Sequence, residues 1–149
     1  MGKKSIEALV GLFNDPIMEV RNESVAAVVS LGAGQMDRLL AAMKDERWRV
    51  REHAAKACGD LRDPRAVDGL IFACRDRDGA VKSAAAEALG KIGDPKAIPA
   101  LIKMFRDSSK IVRETAGIAL VSIGQPSVDL LLESIHDKDF VVRCHAARA

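Results

Sequence analysis

The stretch ALGKIGDPKAIPALI, residues 88–102, decides the fold, because nearly the same phrase stands 31 residues earlier. Residues 57–71 read ACGDLRDPRAVDGLI, with the same Asp-Pro pair and the same closing Leu-Ile. Neither stretch contains a nucleophile beside a base, a metal-ligand cluster or a phosphate-binding loop. Such restatement at a fixed interval is typical of a chain built from repeated structural units.

The same period runs through the whole sequence. A valine followed by a basic residue recurs at intervals of 30, 31, 31 and 30 residues, and we call it the anchor, position 0 of each unit: Val20, Val50, Val81, Val112 and Val142. A leucine stands at position −11 of every unit and an alanine at +7, which in the fifth unit is Ala149. The chain therefore contains about five copies of one unit.

Each unit reads as a pair of helices. The first segment is apolar at spacings i, i+3, i+4 and i+7, which place its apolar residues on one helical face; in the fourth unit these are Ile98, Leu101, Ile102 and Phe105. The second segment has small or apolar residues at 0, +4, +7, +8 and +11, again a single face. Because neither helix buries its apolar face alone, we expect the units to stack.

Glycine, aspartate and proline mark the helix ends. Gly32, Gly93 and Gly124 stand where a helix end favours a left-handed residue. Asp63-Pro64 and Asp94-Pro95 predict an N-cap followed by proline in the first helical turn. The N-caps predicted for second helices are Asp78, Ser109 and Asp139.

Composition narrows the class of protein. With 149 residues, the chain is long enough for one domain with a core. Its residues are 48% apolar and only 3% aromatic, a composition that favours helices. A net charge of +2 is too small to indicate nucleic-acid binding by itself. Three cysteines at unrelated spacings suit a reducing compartment, and no apolar run or signal peptide points to a membrane or to secretion. We expect a cytoplasmic protein.

The stretch DRDGAVKSAAAEALGKIGDPKAIPALIKMFRDSSKIVRETAGIAL, residues 76–120, resembles HEAT repeats of the short phycobilisome-lyase-like type. The resemblance implies an all-α fold, an α-solenoid of about five hairpins in a right-handed superhelix, with second helices on the concave face. The predicted units of this single domain are 5–32, 35–62, 64–93, 95–124 and 126–149, the last of them incomplete.

The same resemblance raises two enzymatic functions. HEAT-like deoxyhypusine hydroxylases hold a di-iron centre with His-Glu pairs at positions +2 and +3, but no unit here has His followed by Glu; Glu52-His53 is reversed and stands alone. Bilin lyases attach a tetrapyrrole, yet nothing in the sequence specifies a bilin site. We therefore expect a protein that is not an enzyme, with no cofactor or metal, and keep a lyase-like or metal-dependent component as the alternative.

Two charged columns share the repeat register. A basic residue follows each anchor, and an aspartate precedes it by five residues: Arg21, Arg51, Lys82, Arg113 and Arg143, with Asp15, Asp45, Asp76, Asp107 and Asp137. We expect an Asp–Arg ladder that ties each unit to the next, because paired basic residues do not form a phosphate-binding track. Nucleic-acid binding through the basic column is the disfavoured alternative.

The three cysteines fall into two groups. Cys58 and Cys74 occupy apolar positions of the repeat, so we expect both in the core. Cys144 lies on the outward stripe, where a reactive thiol is the minority interpretation.

The outward positions of the second helices vary between units while the core positions do not, which favours a protein or peptide partner on this face. Trp48, the single tryptophan, stands at position −2 beside several arginines, either as an interface anchor or as local packing. The predicted contact residues are Trp48, Arg49, Glu52, His53, Lys56, Glu87, Lys91, Glu114 and Ile118.

The fifth unit stops within its second helix, which leaves Ile135, Phe140, Val142 and Ala146 half covered. An uncovered stacking face is an aggregation hazard in repeat proteins. Two interpretations follow: the chain is a piece of a longer array, or this end meets a partner. Self-association through the C-terminal repeat face is one form of the second.

Overall fold

The computed structural model describes residues 3–148, with side chains from residue 6 onward. Ala149, the last member of the predicted alanine column, lies outside this range. The first helices of the five hairpins are α1 (Lys3–Gly11), α3 (Met36–Ala42), α5 (Val67–Ala73), α7 (Ile98–Lys103) and α9 (Val128–Ser134). The second helices are α2 (Met18–Ser30), α4 (Trp48–Leu61), α6 (Gly79–Ile92), α8 (Lys110–Ile123) and α10 (Phe140–Ala146). The all-α solenoid is confirmed.

The Asp-Pro pairs begin the third and fourth units as predicted. The Asp63 carboxylate accepts a hydrogen bond from the Arg65 backbone N–H at 2.9 Å, and Asp94 does the same for Lys96. Each proline then starts a short 3-10 turn that leads directly into α5 or α7. These caps satisfy N–H groups that the helix itself leaves unpaired.

The predicted glycines take a positive φ at the junctions between units, with values of 77° at Gly32, 76° at Gly93 and 81° at Gly124. In the second unit this position holds Arg62, whose φ is 50°. A side chain in the left-handed region costs about 1–2 kcal/mol. The hairpin register therefore overrides the local preference of Arg62.

An aspartate-centred turn joins the two helices of every hairpin. The carboxylate at position −5 accepts a hydrogen bond from the backbone N–H at −3 in all five units, at 2.8–2.9 Å. Asp78 and Asp139 then cap α6 and α10 as predicted. Ser109 is the N-cap residue of α8 as predicted, but its side chain makes no capping bond. The turn there is instead held by Asp107 and by Arg113, which donates to two of its carbonyls.

One core runs along the solenoid. The leucines at −11 are fully buried in the second to fourth units, and the anchor valines are buried from the second unit onward. Cys58 and Cys74 are buried in this core as predicted, and burial raises the pKa of each thiol to about 12. Both cysteines therefore behave as apolar core residues.

Glycine on alanine brings the central second helices into backbone contact. A Cβ atom added at Gly59 would lie 2.6 Å from the Cα of Ala88, and one at Gly90 would lie 2.9 Å from the Cα of Ala119. Among residues 3–148, the most extensively packed helix pairs are accordingly α4–α6 and α6–α8. Position +9 thus needs a residue without a side chain wherever the next unit packs this tightly.

Phenylalanine and histidine meet at two unit junctions. The ring of Phe13, at position −7, lies 6.2 Å from that of His53, at +3 of the following unit. Phe105 stacks on His145 in the same relation, with ring centroids 5.5 Å apart. The other junctions pair smaller residues at these positions, Met43 with Ala84 and Cys74 with Thr115.

Replacing Gly59 by alanine should destabilise the protein by about 2 kcal/mol, because overpacking against Ala88 outweighs the higher helix propensity of alanine. Gly117→Ala is the matched control. A Cβ at Gly117 in α8 meets only Phe105 Cε1, at 3.9 Å. This variant should gain about 0.5–1 kcal/mol. Urea unfolding of both variants measures the difference, and a Gly59→Ala protein as stable as wild type contradicts the close-contact account.

Candidate functional site

The second helices together form a recessed surface, which we call the inner face. It consists of the outward positions −1, +2, +6 and +10 on α2, α4, α6 and α8. One depression is lined by residues of α2, α4 and α6, and the next by residues of α4, α6 and α8. Since three consecutive helices line a single depression, this side of the solenoid is concave, as the resemblance implied.

The middle of the inner face is a trough of about 450 Å³. Its floor is made by small residues at the start of α6, Gly79, Ala80 and Ser83. The Glu52–Lys56 pair of α4 forms one wall, and Ile111 of α8 stands on the other. The α4 side of the trough is therefore charged, whereas the α8 side combines Ile111 with the hydroxyl side chains of Ser109 and Thr115.

Five charged residues in the middle of the inner face, on α4 and α6, are paired with one another. Lys56 binds Glu52 at 2.6 Å, and Lys91 binds both Glu87 and Asp60 of the preceding unit at 2.8 Å. Burial opposes the charge of Lys91, but its bonds to Asp60 and Glu87 outweigh this effect and raise the pKa of the lysine. Exposed pairs of this kind contribute about 1 kcal/mol or less each. Because the charges of these predicted contact residues are already paired, they add little to the affinity for a partner.

Apolar side chains are left uncovered at the C-terminal part of the inner face. Ile111 and Ile118 are each 68% exposed, and Val121 is 56% exposed. Ile118 was predicted and Ile111 was not, although the change from Ala80 to Ile111 at position −1 was a signal in the sequence. Val121, at +9, lies outside the inner face, because Gly59 and Gly90 show that this position faces the next unit. Glu114, the remaining predicted residue of α8, pairs with Lys110 at 3.5 Å.

Trp48 is the first residue of α4, and it is 39% exposed. The guanidinium of Arg49 lies 4.9 Å from the centre of that ring, an arrangement that stabilises both side chains. The contact occupies one face of the indole. The role of Trp48 and Arg49 as interface anchors stays a prediction.

The placement of His53 on the partner surface is wrong. Its side chain is 2% exposed, because position +3 points toward the preceding unit, where the ring packs near Phe13. The Nδ1–H group donates to the Arg49 carbonyl at 2.8 Å. Burial lowers the pKa of His53, so the ring is neutral in this core position. His53 is therefore a core residue, although its position on the helical wheel of α4 predicts a surface residue.

The predicted Asp–Arg ladder is present at two of four junctions. Arg51 binds Asp76 through two bonds of 2.7 and 2.9 Å, and Lys82 binds Asp107 in the next unit. The other two steps are wrong because nearer cations compete: Arg47 takes Asp45, and Arg106 takes Asp137. Each ladder arginine, including Arg21 and Arg143, also donates to carbonyls of its own hairpin turn.

The hydrogen bonds and ion pairs of the basic column argue against nucleic-acid binding through that column. In the second to fourth units the basic column lies against carboxylates, turn carbonyls or, for Arg113, the Nε2 atom of His145 at 3.2 Å. A phosphate-binding track needs basic groups that are not already bound in this way. The basic column is therefore part of the scaffold of the solenoid.

Between residues 3 and 148, no group of three or more His, Cys, Asp or Glu side chains is close enough to hold a metal ion. In the same range no single helix is long and apolar enough to cross a membrane; the bent pair Met18–Ser30 and Ala33–Ala42 reaches that length and composition only together. Cys144 is half-buried.

Residues 36–121 and 99–149 match the family model for HEAT repeats. The chain belongs to the HEAT-repeat family. A comparison with curated protein sequences finds no match.

Among solved structures, this HEAT-repeat chain is similar to one from the complex of CpcE and CpcF of phycocyanin lyase from Nostoc sp. PCC7120. The identity is 24%, the TM-score 0.79, and the match covers 99% of this chain and 98% of that one. Human deoxyhypusine hydroxylase is similar at 21% identity and a TM-score of 0.61, over 96% of this chain and 60% of that one. A designed armadillo repeat protein in complex with the peptide (KR)4 is similar at 16% and 0.54, over 95% and 78%. At these identities the likeness shows the fold.

Asp76→Asn should destabilise the HEAT-repeat domain by about 2–4 kcal/mol, because it leaves the buried guanidinium of Arg51 without its counter-charge. The asparagine keeps an acceptor for the turn N–H, so the variant isolates the charge. Asp68→Asn is the control, since Asp68 pairs with Lys96 in solvent and its loss should leave stability within error. Urea unfolding at neutral pH measures both, and equal effects contradict the buried ladder.

The same pair predicts a pH dependence. Burial opposes the charge of Asp76, but Arg51 outweighs it and lowers the pKa of this carboxyl. The stabilisation is therefore complete above the ordinary aspartate pKa of about 4 and is lost as the pH falls through the lower folded value. The unfolding free energy of wild type should fall more steeply in acid than that of Asp76→Asn. Parallel curves would contradict this linkage.

Proposed function

We propose that this HEAT-repeat protein is a non-enzymatic interaction scaffold of the cytoplasm, and that its inner face binds a protein or peptide segment. One observation carries the proposal: Ile111 and Ile118 stand exposed on a concave surface whose central lysines and glutamates are paired with one another. Burying an exposed isoleucine contributes about 1.5–3 kcal/mol, more than any surface ion pair here. An apolar side chain of the partner is thus the expected anchor.

The shape of the trough indicates how a segment would lie. Gly79, Ala80 and Ser83 leave room for a backbone or a helix to approach α6, while Ile111 stands on the α8 side of the trough. Further along, Ile118 lines an adjoining depression between α6 and α8 with Thr115 and Ser122. A partner that crosses α6 and α8 would bury both isoleucines together. The predicted contacts Glu52, Lys56, Glu87, Lys91 and Glu114 then form its polar surround.

The similar structures support a protein partner in general. The CpcE–CpcF structure is a complex of protein chains, and the designed armadillo repeat protein holds a peptide. Both use stacked helical units of the kind described here. For this chain they favour a macromolecular partner over a small substrate.

A second function has one observation in its favour. The similarity to the phycocyanin lyase chain extends over nearly the full length of both proteins, which supports a lyase component as the alternative. Adding a free linear tetrapyrrole to the purified protein tests it. A component that handles a bilin should shift the visible absorption of the pigment and induce circular dichroism in that band, whereas an unchanged spectrum contradicts the lyase function.

Ile118→Glu should lower the affinity for a partner at least about tenfold, because the lost burial is worth more than 1.4 kcal/mol. Peptides are selected from a display library on wild type, and their affinities for each variant are then measured by calorimetry. Phe72→Glu is the matched control, since Phe72 is an exposed apolar residue of the first helix α5. Peptides that bind Ile118→Glu as tightly as wild type, or a selection without binders, contradict an inner-face site.

A further inference from the structure

The first helices form the outer face of the solenoid, on the side away from the inner face. In the third and fourth units they enclose a cleft of about 210 Å³. Apolar side chains of α5 and α7, and of the turns that follow them, line this cleft: Ile71, Cys74, Ala100 and Met104. Cys74 and Met104 belong to the core, so the cleft opens directly onto it. Such a lining accepts an inserted apolar side chain, because methionine adapts its shape to its neighbours.

An exposed phenylalanine stands beside the cleft. Phe72 follows Ile71 in α5 and is 74% exposed, the highest value of any large apolar side chain between residues 6 and 148. The third unit has a neighbouring unit on each side, so this exposure does not depend on where the chain begins or ends. In the other units the same position, −9, holds a small or charged residue: Gly11, Ala41, Lys103 and Glu133. The exposed ring is therefore specific to this unit.

Two basic side chains of the cleft have no counter-charge. The Arg75 N–H donates to the Phe72 carbonyl at 3.0 Å, which places these two residues in one helical turn, and Lys103 lines the cleft from α7. Neither Arg75 nor Lys103 forms an ion pair within residues 6–148, because the ladder holds the carboxylates nearby. These carboxylates are Asp76, which Arg51 binds, and Asp107, which Lys82 binds.

The cleft therefore offers two different attractions. Arg75 and Lys103 attract anionic groups, whereas Phe72 and the apolar lining gain free energy when another apolar group covers them. The third basic residue of the cleft, Arg106, is already bound to Asp137. A bare polyanion would satisfy the two cations and leave the ring exposed. A peptide in which carboxylates flank one large apolar side chain satisfies both.

We propose that the outer face of the third and fourth units binds an acidic peptide segment of a partner protein. A large apolar side chain of this segment enters the cleft beside Phe72, and its flanking carboxylates bind Arg75 and Lys103. The site shares no residue with the inner face. One copy of the solenoid thus holds two partners at once, one on each side, and brings them together.

Peptide selection on a protein with a blocked inner face tests the outer site. Random peptides displayed on phage are selected on the Ile118→Glu protein, in which inner-face binding is disfavoured. The selected peptides should carry several aspartates or glutamates around one leucine, isoleucine or aromatic residue. Their affinity, measured by calorimetry, should fall as salt is added, because the charged groups lie at the surface.

Charge reversal in the same background locates the binding. Arg75→Glu combined with Lys103→Glu should weaken the selected peptides at least about tenfold, because two attractions become repulsions. Both residues are exposed, so this variant should melt as its parent does. The control combines Arg62→Glu with Lys138→Glu, which reverses the same two residue types at exposed positions that do not line the cleft, and should leave the affinity unchanged.

Phe72→Ala separates a peptide site from a plain anion site. It should also weaken the selected peptides, at least about threefold, because an apolar contact is lost while every charge is kept. Full affinity for Phe72→Ala overturns the proposal, since a bare polyanion would then fit equally well. Selection without binders, peptides without acidic residues, and equal losses in the reversed and control variants each overturn it too.

The outer and inner sites fail on different results. The inner-face function depends on how peptides selected on wild type bind Ile118→Glu. The outer site depends on peptides selected on Ile118→Glu itself, and on what they lose when Arg75, Lys103 or Phe72 is changed.

Discussion

The contacts of Gly59 with Ala88 and of Gly90 with Ala119 set the spacing on which the rest of the structure depends. They let α4, α6 and α8 touch along their backbones, so three helices supply the lining of one depression. Where valine replaces glycine at +9 in the first unit, at Val29, the helices α2 and α4 pack less extensively. The close backbone contacts of α6 with both of its neighbours thus shape the middle of the inner face.

The inner face carries two kinds of side chain that differ in whether they already have an interaction partner. The lysines and glutamates of α4 and α6 are already paired, so a partner that replaces those ion pairs gains little. Ile111 and Ile118 are exposed to water, and that water is released when a partner covers them. Affinity should therefore depend on a few apolar contacts, while the paired charges penalise partners that bury them without replacement.

Much of the fold follows from the 30–31-residue period alone, because every anchor valine, Asp-Pro cap and positive-φ glycine is a local requirement of one hairpin. The predictions are wrong where the environment of a residue depends on the neighbouring unit. His53 lies at the edge of the outward stripe, and only the position of Phe13 shows that it is covered. Arg106 and Arg47 stand outside the repeated columns, yet they take the carboxylates that the ladder required. Ile111 needed the structure to show that its side chain lies exposed on the inner face.

The Phe–His junctions make the units unequal. Phe13 fits a histidine at +3, whereas the third and fourth units offer Ala84 and Thr115 at that position. Joining the first unit directly to the third would set a large ring against a methyl group and leave a void, which costs stability in a close-packed core. Joining the second to the fourth would set Met43 against Thr115, a smaller mismatch. Insertion or deletion of a repeat unit is thus tolerated only at particular junctions. The packing between units therefore specifies the order in which they stand.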